Sequence, residues 1–258
     1  MNKIKPRSEL RARLRNAGAA LFGVAVGFAI TASALASDAI TLRVGDQKGG
    51  NRSLLEIAGL ATDLPYKIEW SEFPAAAPIL EALNAGALDV GYTGDLAFLT
   101  VYAAGAPIKA IGGTRADART QAILVRKDAT LKDNARIVAD GEGLTPTITF
   151  IVASDQAIAT KRAAVQDLVQ RLNKARLWSL DHLGEYAKNT AELTKLPEDV
   201  LLSAYTAQRT SPIVIDADIV KEVQEASDRA TRYGILSKTL DVSKAVDRSF
   251  TAASAGSN

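Results

Sequence analysis

The 258-residue chain is 47% hydrophobic and 23% charged, enough apolar sequence to bury a substantial core. It has no cysteine and one histidine, His182, which excludes disulfides, thiolate metal sites and cysteine nucleophiles and nearly excludes histidine metal clusters and Ser-His-Asp triads. The formal net charge of +2 is unevenly placed, because six of the 31 basic residues but only one of the 29 acids fall within residues 1–36.

Lys3, Lys5, Arg7, Arg11, Arg13 and Arg15 precede an apolar run that ends in the small-x-small site Ala34-Leu35-Ala36. A basic segment, an apolar segment and such a site predict a secretory signal peptide over residues 1–36, with an uncleaved membrane anchor as the alternative. No Arg-Arg pair is present, which favours the general secretion route over the twin-arginine one. Residues 37–258 are then weakly acidic, about three charges negative, with no Lys/Arg stripe for nucleic acid. The expected product is exported and soluble.

A strand–helix alternation follows. "ITLRVGD" (40–46) reads as a strand, "QKGGN" (47–51) as a glycine loop and "RSLLEIAGLA" (52–61) as a helix. "YKIEWSEF" (66–73) alternates again, and Pro74 opens a helix stopped by Gly86. "LDVGYTG" is the third strand, "DLAFLTVYAAG" the next helix, and "IKAIGGTR" (108–115) the fourth strand. Four strands separated by short helices predict a small parallel sheet with crossovers. "QAILVRKD" (121–128) is a fifth strand, reached by a turn too short for a parallel crossover, and "ARIVAD" (135–140) and "ITFIVAS" (148–154) are strand-like. From Gln156 the pattern is helical: 156–180, 183–195, a run opening at Pro197, 217–233 after the extended "SPIVID", and a short helix around 242–250. The small polar tail "TAASAGSN" reads as frayed.

In an open parallel sheet, ligands sit beyond the carboxyl ends of the strands, where the next helices begin. Three such ends are legible: 47–51, 73–75 and 92–95. Helix N-termini carry unpaired N–H groups that suit anions, and Gly49, Gly50 and Gly94 would admit an oxyanion close to the backbone. Thr93 adds a hydroxyl, and Asp95 would cap its helix by accepting from the N–H groups two and three residues on. Thr-Gly-Asp therefore reads as an anion cradle, or as a tight turn with a good N-cap. Gln47 and Lys48 are candidate ligand contacts or a solvated loop. Phe73 and Pro74 would wall an alkyl chain or simply enter a helix, and Arg115 would meet an anion or lie on the surface. His182 reads as a capping or surface residue and Trp178 as core. No two acids pair across a recognisable cleft, and both glycine-rich nucleotide motifs are missing.

The stretches "LRVGDQKGGNRSLLE", "EFPAAAPILEALNAGALDVGYTGDLAFLTVYAAGAPIKAIGG" and "QAILVRKDATLKD" resemble the aliphatic sulfonate- and taurine-binding proteins of ABC importers. The likeness covers about residues 38 to 133, and resumes at "ARIVADGEGL" and through "TSPIVIDADIVKEVQEASDRATRYGILSKTLDVSKAVDRSF". It implies a periplasmic-binding-protein-like α/β lobe with a parallel sheet, a ligand site from Gln47, Lys48, Gly49, Phe73, Thr93, Gly94, Asp95 and Arg115, and no catalytic residue, metal or cofactor. The implied partners are a small organic anion and a membrane permease, and the implied setting is the periplasm, as a monomer. Nitrate, phosphonates and thiamine-precursor pyrimidines belong to similar proteins.

The departure from that family comes after "LKD". Asp133 is followed at once by Asn134 and "ARIVAD", a segment that belongs near the end of the family's second lobe. On the order of eighty residues are absent, two to three βα units at roughly thirty each. The expected organisation is a signal peptide (1–36), an N-terminal ligand-binding lobe (37–128), a remnant of the second lobe (129–180) and C-terminal helices packing back on the first lobe (181–258). Full proteins of this kind close two lobes over the ligand. With one jaw reduced, exposed helix-end contacts of about 0.3–1 kcal/mol each fall short of the roughly 8 kcal/mol of a micromolar site. The expected function is solute binding for sulfonate uptake as a sulfur source, with impaired affinity. The alternative is a relic or interaction protein without a transport role.

Overall fold

The computed structural model describes residues 40–120 and 146–252. The expected signal segment, the strands expected at 121–128 and 135–140, and the tail from 253 lie outside the described residues.

The predicted alternation is present as β1 (Thr41–Asp46), α1 (Asn51–Ile57), β2 (Lys67–Glu72), α2 (Ala76–Asn84), β3 (Val90–Gly94), α3 (Asp95–Ala103) and β4 (Ile108–Arg115). β1 pairs in parallel with β2 on one side and β3 on the other. β2 forms the sheet edge, and its outward Lys67 and Glu69 place charge there, which discourages pairing with another chain.

β3 and β4 are not neighbours. β5 (Ile148–Ser154) lies between them, antiparallel to both, in the order β2-β1-β3-β5-β4-β6. β6 (Ser211–Ile213) closes the far edge, antiparallel to β4. The four expected strands do run in one direction, but an antiparallel strand from late in the chain divides them. The segment expected to belong to the second-lobe remnant thus stands in the middle of the sheet. Its residues alternate between two cores: Ile148, Phe150 and Val152 pack on one face, and Ile151 and Ala153 on the other.

The first face carries α2, α3 and α8 (Ala217–Arg232), with Ile79, Leu83, Phe98, Leu99 and Val223 in its core. The second carries α1 and the long helix α5 (Arg162–Asp181), through Leu54, Leu55, Val165, Leu168 and Leu172. α6 (Leu183–Thr194) and α7 (Glu198–Gln208) form an adjoining hairpin, and a short helix α9 (Ser249–Ala252) ends the described chain. His182 joins α5 to α6, its ring stacked on Trp178.

The helical run expected over 156–180 is split into α4 (Asp155–Thr160) and α5 at Lys161. Lys161 Nζ donates to Thr41 O and to Asp89 Oδ2, both at 2.7 Å. Asp89 is 2% exposed and also accepts from Arg43 N and Nη2 at 2.8 and 2.7 Å. Burial pushes the Asp89 carboxyl up, but hydrogen bonds from Arg43 and the Lys161 charge outweigh it and hold it below the usual range. This cluster ties β1, the start of β3 and the α4–α5 junction together. A depressed folded pKa stabilises above the unfolded value of ~4, and that stability is lost as pH falls through the folded pKa. Asp89→Asn is expected to lower urea stability at neutral pH by about 1–3 kcal/mol. It should also flatten the loss of stability below about pH 4. Equal urea midpoints for the two proteins at pH 7 would count against this role.

Candidate functional site

The carboxyl ends of β1, β3 and β4 lie along one edge of the sheet, with the start of β5 between the last two. Adjacent strands stand about 4.8 Å apart, so the insertion of β5 puts Arg115 roughly 10 Å from the end of β3. The sequence-predicted residues are divided accordingly.

Gln47, Lys48 and Gly49 line a cavity of about 230 Å³ beyond β1 and β2, together with Arg52, Glu56 and Trp70. The turn is tight. Gly49 has φ +73°, and a Cβ on Gly50 would come within 2.5 Å of Asp46 Oδ1 and 2.8 Å of Gln47 O. The reason is Asp46, the buried last residue of β1. Its Oδ2 accepts from Arg52 N at 2.7 Å, and its carboxylate is also held by the N–H groups of Gln47 and Asn51. Burial pushes the Asp46 carboxyl up, and these N–H groups pull it partly back. The expected open anion cradle at Gly49–Gly50 is therefore occupied by an internal carboxylate.

Thr93 is buried, and its hydroxyl contacts only Gly94 O at 3.3 Å. Strand alternation turns it toward the α2–α3 face and turns Tyr92 toward the α5 face. Gly94 is the N-cap of α3, so Asp95 is the first helical residue, one place later than a cap. Its Oδ1 accepts from Leu96 N at 2.7 Å, rather than from the N–H groups two and three residues on. Burial raises the Asp95 carboxyl, the Leu96 N–H lowers it, and the nearby Glu222 raises it further. A carboxylate in this place competes with an incoming anion for the helix-start donors. Phe73 packs beside Gly45 and Ile79 in the α2-side core, and its N–H donates to Asp46 O at 2.8 Å.

Arg115 lines a second cavity, of about 430 Å³, with Asp117, Thr147, Glu222 and Arg229. Its guanidinium pairs with Glu222, and both side chains are more than a third exposed, so the pair contributes little to stability. A third cavity, of about 200 Å³, lies between the ends of β3, β4 and β5 and helix α5, and Tyr92 and Arg176 line it. Phe73, Thr93, Gly94 and Asp95 line none of these three. Sequence reasoning missed Asp46, Tyr92 and Arg176. The available signal for Arg176 was its position one turn after Leu172, a cationic residue on an otherwise apolar helix stripe.

Among the described residues no helix is long and apolar enough to cross a membrane, and no His, Asp and Glu cluster could hold a metal ion. No family model matches the chain. Over 105 residues, 40% of this chain, it is 37% identical to a protein of Escherichia coli (strain K12) named for aliphatic sulfonate binding. Over 126 residues, 47% of this chain, it is 29% identical to a like-named protein of Bacillus subtilis (strain 168). The chain resembles aliphatic sulfonate-binding proteins. The matches span 32% and 37% of those curated relatives' own length.

The fold is similar to that of the periplasmic aliphatic sulphonate-binding protein SsuA of Escherichia coli, with a TM-score of 0.71 at 20% identity over 80% of this chain and 97% of that one. It is also similar to the alkanesulfonate-binding protein SsuA of Xanthomonas axonopodis pv. citri, solved with MOPS bound, with a TM-score of 0.65 at 23% identity over 83% and 100% of the two chains. The fold is that of the periplasmic binding proteins.

Because Asp46 closes the start of α1, Asp46→Ala is expected to cost about 0.5–2 kcal/mol, the usual range for a lost N-terminal cap. Urea unfolding measures this, and an unchanged midpoint would mean that water replaces the carboxylate without loss.

Proposed function

We propose that this protein is the extracytoplasmic solute-binding component of an ABC importer, binding an aliphatic sulfonate or a related small organic anion. The observation that carries the reading is the 37% identity over 105 residues to a relative named for aliphatic sulfonate binding. The periplasmic-binding-protein fold supports it. In this reading residues 1–36 direct export to the periplasm and are removed, the solute serves as a sulfur source, and a membrane permease receives it. The protein acts as a monomer and catalyses no reaction. Gln47, Lys48, Gly49 and Arg115, which line cavities beyond the strand ends, and Gly94 and Asp95 at the start of α3 are the proposed ligand contacts, while Phe73 and Thr93 support that end of the sheet from the core.

Affinity is low in this reading. The chain between Arg115 and Ile148 has room for about one βα unit, too little for a full opposing lobe. The carboxylates of Asp46 and Asp95 already use helix-start donors. A second reading, a reduced protein that folds but serves no transport role, is favoured by the same short connection.

Thermal unfolding of the purified chain with alkanesulfonates, taurine, sulfate and nitrate separates the two readings. Ligand at about a hundredfold over Kd adds roughly 2.7 kcal/mol, worth ~5–10 °C for a domain of this size. A shift selective for sulfonates is the expected result. A cooperative transition that no anion moves would reject solute binding in favour of the second reading.

A further inference from the structure

The cavity under α5 joins a buried phenol to a guanidinium that has no carboxylate partner among the described residues, whereas Arg115, whose Nε is also buried without a hydrogen bond, is paired with Glu222. Tyr92 is 6% exposed, and its hydroxyl is buried without a hydrogen-bond partner. Arg176 Nε is also buried without a partner, while Nη2 reaches Asn51 Oδ1 at 3.4 Å and the guanidinium hydrogen-bonds the Tyr186 hydroxyl. Arg176 forms no ion pair with a carboxylate among the described residues. Its charge acts instead on neighbouring phenols. Burial pushes the Tyr186 hydroxyl up to about 12, and Arg176 pulls against that. It likewise opposes the strong upward push that burial gives Tyr92. The Asp46 carboxylate, which is engaged by the N–H groups that start α1, adds to that upward push on Tyr92.

A buried donor left unpaired is costly, and a guanidinium has five donors and no acceptor. Two such donors, with the hydroxyls of Thr114 and Thr149 and the amides of Asn173 and Gln208 on the same walls, suit a group with only acceptors to offer. That group is an oxyanion. Ile151 and Leu172 supply an apolar wall. At about 200 Å³ the cavity would hold roughly six waters and is smaller than the cavities that take drug-sized ligands.

We propose that Arg176 and Tyr92 bind the oxyanion head of a short-chain organic anion, of methanesulfonate to taurine size, with its carbon atoms against Ile151 and Leu172. The proposal deepens the solute-binding reading and rests on it for the organic part of the ligand. It moves the charged contact from the helix starts, where carboxylates compete, to a cation on the face of the sheet.

The test is calorimetric titration of the full chain with methanesulfonate, taurine and sulfate, and with dimethyl sulfone as the uncharged analogue. Arg176→Met keeps the length of the side chain, and Tyr92→Phe removes only the hydroxyl. A circular dichroism melt checks that each variant is folded, and Tyr92→Phe carries the test if Arg176→Met is not. Binding of methanesulfonate but not of dimethyl sulfone is expected. Affinity should fall about tenfold or more in Arg176→Met and by a smaller factor in Tyr92→Phe. Unchanged affinity in both variants, with loss in Lys48→Met or Asp95→Asn, would overturn this site and leave the solute-binding reading standing. Sulfate binding that Arg176→Met abolishes, with no organic anion bound, would keep the oxyanion site and overturn that reading. No binding of any anion would overturn both.

Discussion

The sheet depends on one strand, β5. β4 and β6 reach β1, β2 and β3 only through it, because β5 alone pairs with both β3 and β4. Its side chains are buried on both faces, so it supplies apolar contacts to both cores as well as two ladders of hydrogen bonds. The register Val90↔Ala153 joins residues far apart in the sequence, so the halves of the sheet are united late in the chain. A lobe that needs this strand cannot be completed by residues before 146 alone.

The two ends of the sheet are treated differently by charge. At the amino ends of β1 and β3, Asp89 gathers Arg43 and Lys161 into a paired cluster that fixes how α4 turns into α5. At the carboxyl ends, Asp46 and Asp95 occupy the starts of α1 and α3. Carboxylates are stabilising at helix N-termini, so this arrangement favours the fold while it reduces the attraction of those helix starts for an outside anion. Arg176 stands apart from both groups, without a carboxylate partner among the described residues. In the proposed reading, the distribution of charge, more than the pattern of glycines, therefore decides where a negative ligand is received.

The likeness to sulfonate-binding proteins and the fold agree on the scaffold. A site formed by one lobe is open to water on its unpaired side, which weakens each electrostatic contact. A cavity walled on several sides by β3, β4, β5 and α5 escapes part of that loss.

Local patterning in the sequence determined the elements. Alternation in "TLRVGD" and "KIEWSE", the apolar run "ITFIVAS" and the helical spacing after Gln156 correspond to β1, β2, β5 and the helices from α5 onward, because side-chain pattern reports which residues meet a core. The same patterning placed 92–95 at a strand-to-helix turn. It did not determine which strands pair. An apolar run such as 148–154 fits equally a second lobe or the centre of the first, and only packing against both helix layers selects the latter. Nor did it determine which donors remain free. Thr93 and Gly49 read as ligand groups because their local chemistry allows it, yet strand alternation turns Thr93 away from the cavity and the Asp46 carboxylate fills the glycine turn. Tyr92 and Arg176, from a strand and a helix remote in sequence, meet in one cavity solely through the crossing of α5 over the sheet. Short-range sequence encodes the period and chemistry of each residue; which hydrogen-bonding groups satisfy one another is a property of the assembled fold.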